Sequence, residues 1–263
     1  MLVQETQRYV GGNTGKVFIS GVSDGIGHAL ATLYLKNGWT VFGISRRRPK
    51  ELIENKNFLF KSCDLQTLKD ATSLFDGEFA PITEEGISVV YLNAGISGNV
   101  PARAEEFTLD NIYQTLAVNV VSNKVLLDAF LALPQRPEVV VASASIAGLR
   151  FRAGMLPYSL SKAALLALCG VYAQENPDVF FAVIGMCNVN TKLSRGNVFS
   201  SRVPEFPEHI KLQERFSLPG YAASPESRAA DVFDIIHSRR DGVLTSGQFI
   251  DIREILKQPR SKI

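Results

Sequence analysis

The chain has 263 residues, 46% of them hydrophobic and 21% charged, and carries a formal net charge of only +2 at pH 7. This size and composition predict a single α/β domain with a sizeable core, and so small a net charge argues against a nucleic-acid surface. The sequence shows neither an apolar leader nor a run close to the roughly 18 apolar residues that span a bilayer, so we expect no signal peptide and no membrane partner.

The cysteines and the first residues set the expected compartment and domain limits. Cys63, Cys169 and Cys187 are odd in number and widely spaced. This usage indicates neither a disulfide framework nor a metal site, and it is typical of a reducing, cytoplasmic location. Residues 1–15 are polar and predict a loosely ordered segment, followed by one domain over residues 16–255.

The first strand predicted along the chain, residues 16–20, runs into a glycine-rich turn and then a helix. Glycines at such a turn let the backbone approach a pyrophosphate, and the helix N-terminus attracts its charge, so the pattern predicts dinucleotide binding. A glycine-rich turn by itself also describes an ordinary tight loop. The candidate binding residues are Gly21, Ser23, Asp24, Gly25, Ile26 and Gly27.

The end of the second predicted strand, residues 40–45, indicates which dinucleotide is bound. An acidic residue here would bind the ribose 2′-hydroxyl of NAD, whereas a basic residue accommodates the 2′-phosphate of NADP. The strand leads into three consecutive arginines, which predicts NADP(H). Arg46 would be the main phosphate ligand, with Ser45 and Arg47 as helpers. Adjacent arginines also describe a solvated basic loop, and we assign that role to Arg48.

Two hydroxyls and an ammonium indicate chemistry in the second half of the chain. Residues 139–148 predict a buried parallel strand that ends near Ser145, at the sheet edge where open α/β proteins bind ligands. Tyr158 and Lys162 are four residues apart in a helix predicted over residues 157–175, so both side chains reach one substrate. A lone tyrosine is a poor acid at neutral pH, and we expect the lysine ammonium to lower its pKa.

Several motifs occur in the order and at the spacings of one family. They are the glycine-rich turn, Asn93-Ala94-Gly95, Ser145 and the Tyr158–Lys162 pair. Over residues 16–250 the chain resembles the short-chain dehydrogenase/reductase family. The resemblance implies a Rossmann-like, doubly wound parallel sheet with helices on both faces, and the activity of an NADP-dependent carbonyl reductase.

The resemblance also implies roles for individual residues. Tyr158 would pass its proton to a carbonyl oxygen held by Ser145. Lys162 would bind the nicotinamide ribose, and the main chain of Asn119 would hold a water that connects this lysine to solvent. The remaining cofactor contacts would be Asp64, Leu65, Asn93, Ala94, Gly95, Val189 and Thr191.

Two positions depart from the family pattern. Asp24 stands where members that prefer NADP often carry a basic residue. After the sixth predicted strand, residues 179–184, the chain reads Gly185-Met186-Cys187 in place of the usual Pro-Gly pair, which leaves the shape of this loop open. Cys187 is near enough to the site for a reactive thiol, but we favour an inert core cysteine.

Residues 192–224 resemble the family's variable segment over the active site, and loops of this length often act as lids. Their phenylalanine, leucine and tyrosine side chains predict an apolar carbonyl substrate such as an aromatic ketone or diketone. The alternative is an anionic substrate bound by basic residues, which we interpret instead as solvated loop charges. These residues are Arg150, Arg152, Lys192 and Arg195.

The helix over residues 157–175 is apolar nearly all round. Members of the family commonly pair this helix between subunits, so we expect a homodimer or homotetramer, with burial inside one subunit as the alternative. Two other functions remain open. One is a catalytically silent NADP-binding regulator or scaffold of the same fold, and the other is an isomerase or epimerase that uses the nicotinamide transiently.

Overall fold

Seven strands form the centre of the molecule in the computed structural model, which describes residues 15–258. The segment predicted to be loosely ordered therefore lies, up to residue 14, outside the described residues. The strands are β1 Lys16–Ser20, β2 Thr40–Ser45, β3 Phe58–Ser62, β4 Val89–Leu92, β5 Val139–Ala144, β6 Phe180–Gly185 and β7 Phe249–Asp251. They follow the order β3-β2-β1-β4-β5-β6-β7, and every neighbouring pair is parallel.

The described part of the chain also contains α-helices of 4 to 20 residues, which connect strands or follow the last one. They are α1 Gly25–Lys36, α2 Ala80–Glu85, α3 Leu109–Leu116, α4 Ser122–Leu131, α5 Leu156–Glu175, α6 Lys192–Val198, α7 Pro207–Phe216, α8 Pro225–Asp234, α9 Arg240–Val243 and α10 Ile252–Lys257. A π-helical turn, Ala117–Val121, joins α3 to α4.

Alternate strand residues face two separate hydrophobic cores. Val17 and Ile19 of β1 pack on one side of the sheet with α1 and α8, whereas Phe18 packs on the other side with α2 and α4. All three side chains are fully buried, as expected for parallel strands covered on both faces. The predicted three-layer, Rossmann-like α/β fold is therefore confirmed.

The carboxyl ends of β1, β4, β5 and β6 form one edge of the sheet. The strand order reverses direction at β1, because β2 and β3 lie on one side of it and the later strands on the other. A crevice opens at such a reversal, and open α/β sheets bind their ligands there. The glycine-rich turn follows β1 and Ser145 follows β5, so both reach this crevice.

Helix α5 carries Tyr158 and Lys162, and Pro157 lies in its first turn as expected. By length and composition α5 would also suffice to cross a bilayer, so the expectation that no segment comes close is wrong. Core helices of globular domains share these properties. Leu165 and Cys169 pack against residues of β5 and β6, which makes α5 a core helix of this domain.

The segment predicted to cover the site is mostly helical. It contains α6 and α7, and the Gln213 amide of α7 donates a hydrogen bond of 2.9 Å to the Val198 carbonyl of α6. A single β-bridge between Val189 and Ala223 connects the C-terminal end of this segment to the loop that follows β6. The two helices therefore form a packed cover beside the crevice, and their opening as a lid stays a prediction.

Candidate active site

The glycine-rich turn after β1 has the conformation that glycine permits. Gly21 has φ = 81° and Gly25 φ = 60°, both in the left-handed region. A Cβ on Gly27 would lie 2.3 Å from the Gly21 carbonyl oxygen, so no other residue fits there. The Asp24 carboxylate caps α1 by accepting a 2.7 Å hydrogen bond from the Gly25 N–H. The turn and the helix N-terminus suit a pyrophosphate, as the motif predicts.

The Ser20 hydroxyl holds the loop after β4 in place through hydrogen bonds that it accepts and donates. The Ser20 hydroxyl accepts from the N–H groups of Asn93 and Ala94 at 3.0 and 3.1 Å and donates to the Tyr91 carbonyl at 3.2 Å. The Asn93 amide in turn accepts a 3.2 Å bond from the Ser143 hydroxyl of β5. Three strand ends are thereby locked together. Sequence reasoning missed Ser20 and Ser143, although both are small polar residues at the ends of apolar strands.

Ser145 and α5 are held together by close backbone packing. Ser145 caps the short 3₁₀ turn Ile146–Gly148, its hydroxyl accepting from the Ala147 N–H at 3.2 Å. A Cβ on Gly148 would lie 2.8 Å from the Lys162 carbonyl carbon, so only glycine lets this turn approach α5. The predicted catalytic hydroxyl is therefore fixed next to the first turns of that helix.

Lys162 is buried and bonded, with 6% of its surface exposed. Its Nζ donates a 2.7 Å hydrogen bond to the Ser143 carbonyl and lies 5.6 Å from the ring centroid of Tyr158. Burial lowers the pKa of Lys162 to about 8. The ammonium therefore prevails at neutral pH and is lost at moderately alkaline pH.

Burial raises the pKa of Tyr158, and the Ser145 hydroxyl offsets part of that rise. We expected Lys162 to lower this pKa, and that expectation is wrong for the geometry seen here. Desolvation of the phenolate outweighs the favourable contacts, and the ammonium is directed to a main-chain carbonyl rather than to the phenol oxygen. Tyr158 is consequently a protonated phenol at neutral pH, able to donate.

Asn119 lies in the π-helical turn, fully buried behind the site. Its side chain accepts from the Ile96 N–H and donates to the Ile96 carbonyl, both at 2.8 Å, and also donates to the Ser161 hydroxyl at 2.9 Å. Ser161 donates to the Tyr158 carbonyl at 2.8 Å. The Asn119 side chain therefore ties the loop after β4 to the first turn of α5, a positioning role that sequence reasoning missed.

The end of β2 presents cations to the crevice. Ser45 is buried and its hydroxyl donates to the Arg47 carbonyl at 2.7 Å. Arg46 and Arg47 are exposed and line the crevice, whereas Arg48 does not, in agreement with its predicted role as a solvated residue. Asp64 borders the same cavity. The side chains needed for a 2′-phosphate are thus present at the predicted place.

Asp24 is neutralised by two cations. Its carboxylate lies 2.6 Å from Lys192 Nζ and 3.8 Å from an Arg47 nitrogen. Burial raises the pKa of Asp24, but the contacts with Lys192, the Gly25 N–H and Arg47 outweigh it and lower the pKa overall. The acidic departure from the family pattern is therefore accompanied by a basic residue contributed from α6, and Lys192 is an ion-pair partner rather than a free loop charge.

The loop after β6 makes its turn at Cys187, which has φ = 57°. This left-handed conformation favours glycine, and the family pattern has glycine in this loop. Val189 is buried, and Thr191 caps α6 by accepting from the Ser194 N–H at 3.2 Å. A Cβ on Gly25 would lie 3.2 Å from the Thr191 methyl group, so this loop and the glycine-rich turn meet across the crevice.

One cavity of about 880 Å³ joins these parts. All of the predicted site residues line it except Gly27 and Asn119, which support it from behind. The left-handed glycines, the helix N-terminus and the arginines fit a nicotinamide dinucleotide. Phe216 lines the cavity, as expected for the apolar segment over the site, whereas sequence reasoning missed Met155, His209, Lys211 and Arg215 because they come from distant elements.

The three cysteines are free thiols. Burial raises the pKa of Cys169 to about 12, which makes that thiol inert. Cys187 is half-buried, packs against the core beside α1 and also borders the cavity. Within residues 15–258 no cluster of three or more His, Cys, Asp or Glu side chains could hold a metal ion.

Comparison with known sequences finds several relatives. The model of the short chain dehydrogenase family matches residues 15–197. A benzil reductase that forms (S)-benzoin, from Bacillus cereus, is 32% identical over 126 residues, which are 44% of this chain and 49% of that enzyme. An NADPH-dependent pterin aldehyde reductase from Arabidopsis thaliana is 28% identical over 60% of this chain and 68% of its own length. The match to the Bacillus cereus enzyme thus spans about half of that enzyme's length.

Solved structures share the fold at lower identity. The KRED1-Pglu enzyme superimposes with a TM-score of 0.76 at 18% identity, over 90% of this chain and all of its own. A short chain dehydrogenase from Burkholderia cenocepacia in complex with NADP gives 0.73 at 19% identity, over 91% of this chain and 96% of its own. With the family match over residues 15–197 and a crevice suited to a dinucleotide at the carboxyl edge of the sheet, the chain belongs to the short-chain dehydrogenase family of oxidoreductases.

Proposed function

We propose that the protein is an NADPH-dependent carbonyl reductase that reduces a ketone or aldehyde to the alcohol. The observation that carries the proposal is the convergence of Ser145, Tyr158 and Lys162 on the cavity that also contains the glycine-rich turn. One cavity thereby offers a proton donor, a hydrogen-bond donor for an oxygen and a dinucleotide site, which is what carbonyl reduction needs.

The side chains divide the reaction between them. The nicotinamide, when bound, supplies the hydride that reduces the carbonyl carbon. Tyr158 donates its proton to the carbonyl oxygen, and the raised pKa keeps the phenol protonated for this purpose at neutral pH. The Ser145 hydroxyl donates a hydrogen bond to the same oxygen as negative charge develops on it. The reverse reaction, oxidation of an alcohol, would use Tyr158 as the base.

Lys162 and Asn119 support this chemistry from one side. The Lys162 ammonium would bind the ribose hydroxyls of the nicotinamide, because it lines the cavity beside Tyr158. In our proposal the Asn119 main chain holds a water between Lys162 and solvent. Its carbonyl also accepts a 2.9 Å bond from the Asn123 amide, which holds it in place.

We propose NADP rather than NAD because the side chains at the end of β2 are basic. Arg46 and Arg47 face the cavity there, and none of the residues from Ser45 to Arg48 is acidic. The name of the Arabidopsis relative specifies NADPH. The proposed cofactor-binding residues are those predicted above, with Lys192 added as the cation that offsets Asp24.

The body of the substrate is proposed to be apolar or aromatic. Met155, Leu212 and Phe216 line the cavity, and the aromatic ring of Tyr221 borders it. The name of the Bacillus relative specifies benzil, an aromatic diketone. We take an aromatic ketone or diketone as the first substrate class to test.

A homodimer through α5 and a cytoplasmic location are also proposed. Leu160 and Val171 remain 44% and 55% exposed, and eleven residues, about three helical turns, place them on one face. Val121 on the adjoining π turn is 51% exposed. An exposed apolar face of this kind suits a partner subunit. The free thiols are compatible with a reducing compartment.

Fluorescence titration with NADPH and NADH, followed by NADPH oxidation with aromatic ketones, diketones and aldehydes, tests the proposal. We expect tighter binding of NADPH and turnover of at least one carbonyl class. Binding without turnover of any compound would favour a catalytically silent NADP-binding regulator. Absence of binding would contradict the assignment of the cofactor site.

A further inference from the structure

We call the part of the cavity lined by α7 and by the segments after β5 and β7 its substrate side. This part carries more basic than acidic side chains. Its acidic side chains already have partners: Glu208 lies 3.2 Å from the Arg152 Nε, and Asp251 lies 2.7 Å from an Arg253 nitrogen. The remaining cations of this side are Arg150, Lys211 and Arg215. None of these three side chains forms an ion pair or a hydrogen bond with any residue in the described part of the chain. The cavity therefore has positive charge that the protein itself does not compensate.

These cations come from two elements held against each other. The Arg152–Glu208 ion pair links the segment after β5 to α7, and a 3.0 Å hydrogen bond joins the His209 Nε2 to the Ala153 carbonyl. Arg150 precedes Arg152 by two residues and Lys211 follows Glu208 by three. The contacts thus bring the cations of α7 to the end of the cavity that contains Ser145, away from the arginines after β2.

The spacing on α7 also favours an anion. Lys211 and Arg215 are four residues apart and both line the cavity, so they lie on one face of the helix. Like charges at this spacing destabilise a helix, and an anion between them removes the repulsion. Glu214 lies next to Arg215 and three residues after Lys211, but it does not line the cavity and forms no ion pair with either residue within the described part of the chain.

We propose that the carbonyl substrate carries an anionic group, bound by Arg150, Lys211 and Arg215 while its carbonyl end reaches Ser145 and Tyr158. The inference rests on the proposed reductase function and narrows its substrate class. Leu212 and Phe216 lie among these cations on α7, so the part of the substrate between its two polar ends is apolar. The proposal takes up the alternative of an anionic substrate through Arg150, and α7 supplies the further cations.

Two ketones of the same size and shape, one anionic and one neutral, test whether the charge of the substrate matters. The experiment compares kcat/KM for 4-acetylbenzoate and for 4-acetylbenzamide, its neutral counterpart, with NADPH as the reductant. We expect the acid to be preferred, with its KM rising as salt is added. In the variant Lys211→Gln/Arg215→Gln the acid-to-amide ratio of kcat/KM should fall about tenfold or more. Arg150→Gln should lower it in the same direction.

Arg195→Gln is the matched control. Arg195 lies on α6 with the same charge, but it stacks on the Phe199 ring at 5.1 Å and does not line the cavity. Its removal should leave the acid-to-amide ratio within about twofold of the parent, since an exposed charge outside the cavity contributes little. A ratio that falls equally in this variant would indicate a general effect of net charge and would overturn the proposal.

Turnover of the amide alone, or equal turnover of both compounds, would overturn the inference while leaving the reductase function intact. If neither compound is reduced, calorimetric titration of the enzyme–NADP⁺ complex with each compound decides. Tighter binding of the acid, lost in the Lys211→Gln/Arg215→Gln variant, would uphold the anion site although the reductase function had failed. Equal binding, or binding of neither, would refute it.

Discussion

Burial acts on the two titrating side chains of the site in opposite directions. It lowers the pKa of Lys162 and raises that of Tyr158, because in each case the charged form is the one that loses solvation. The spacing of the pair in the sequence predicts mutual stabilisation of ammonium and phenolate. What the sequence does not reveal is how far both groups are removed from water, and that removal decides the outcome.

The pKa of Lys162 predicts a pH-dependent stability. Below about pH 8 the lysine is charged in both the folded and the unfolded chain, so the penalty for burying the charge is present in full. Between about 8 and the ordinary value of 10.5 the unfolded chain binds more protons, so this group makes stability rise with pH. Lys162→Met removes the penalty at every pH.

Urea denaturation of the parent and of Lys162→Met at about pH 7 and about pH 10 checks this prediction. We expect the free energy of unfolding of the parent to increase relative to that of the variant as the pH rises. Lys124→Met, which replaces an exposed lysine of α4, serves as control and should show no such trend. A difference between parent and Lys162→Met that stays constant across the two pH values would contradict the buried, shifted lysine.

At the scale of elements, the proposed preference for NADP depends on the end of β2. Arg46 faces the cavity and Arg48 does not, although they are two residues apart. Arg46→Gln should weaken NADPH binding by about tenfold or more, because a charge-assisted contact with the 2′-phosphate is lost. NADH lacks this phosphate, so its affinity should change little.

Fluorescence titration with both nucleotides measures the effect, with Arg48→Gln as the matched control. The control should bind NADPH within about twofold of the parent, as expected for a solvated charge. Equal losses in the two variants would show that only the overall charge of the loop matters. Equal losses of NADPH and NADH in Arg46→Gln would show that this arginine does not contact the 2′-phosphate.

Motifs within one element were predictable, and contacts between elements were not. The strand, turn and helix around Gly21, and the helix that carries Tyr158 and Lys162, follow from local pattern. The role of Asn119 in joining two elements, the pairing of Lys192 with Asp24 and the approach of α7 to the cavity depend on residues far apart in the chain. The turn at Cys187 shows the same limit, since the sequence alone left its shape open.

For the whole molecule, the exposed apolar face of α5 predicts association. Val171→Glu places a charge on this face and should convert the protein to a monomer without unfolding it, because the side chain is largely exposed in the single subunit. Size-exclusion chromatography with light scattering gives the mass. Leu256→Glu, on an exposed position of α10, is the control and should keep the mass of the parent.

A monomeric parent at micromolar concentration would end the prediction of a dimer, as would a Val171→Glu variant of unchanged mass.

The architecture itself was predictable from sequence, since alternating strands and helices with a glycine-rich first turn specify a doubly wound sheet. Whether a second subunit covers α5 does not follow from the sequence alone, because an apolar helix has the same residue pattern when its own domain covers it.

The most direct test of the proposed reductase is NADPH oxidation by the parent and by Tyr158→Phe, followed with an aromatic diketone under identical conditions. The substitution keeps the ring and removes the proton donor. We predict that kcat falls by at least about 100-fold while NADPH binding persists. Turnover by Tyr158→Phe within a few-fold of the parent would contradict the central claim that this phenol supplies the proton.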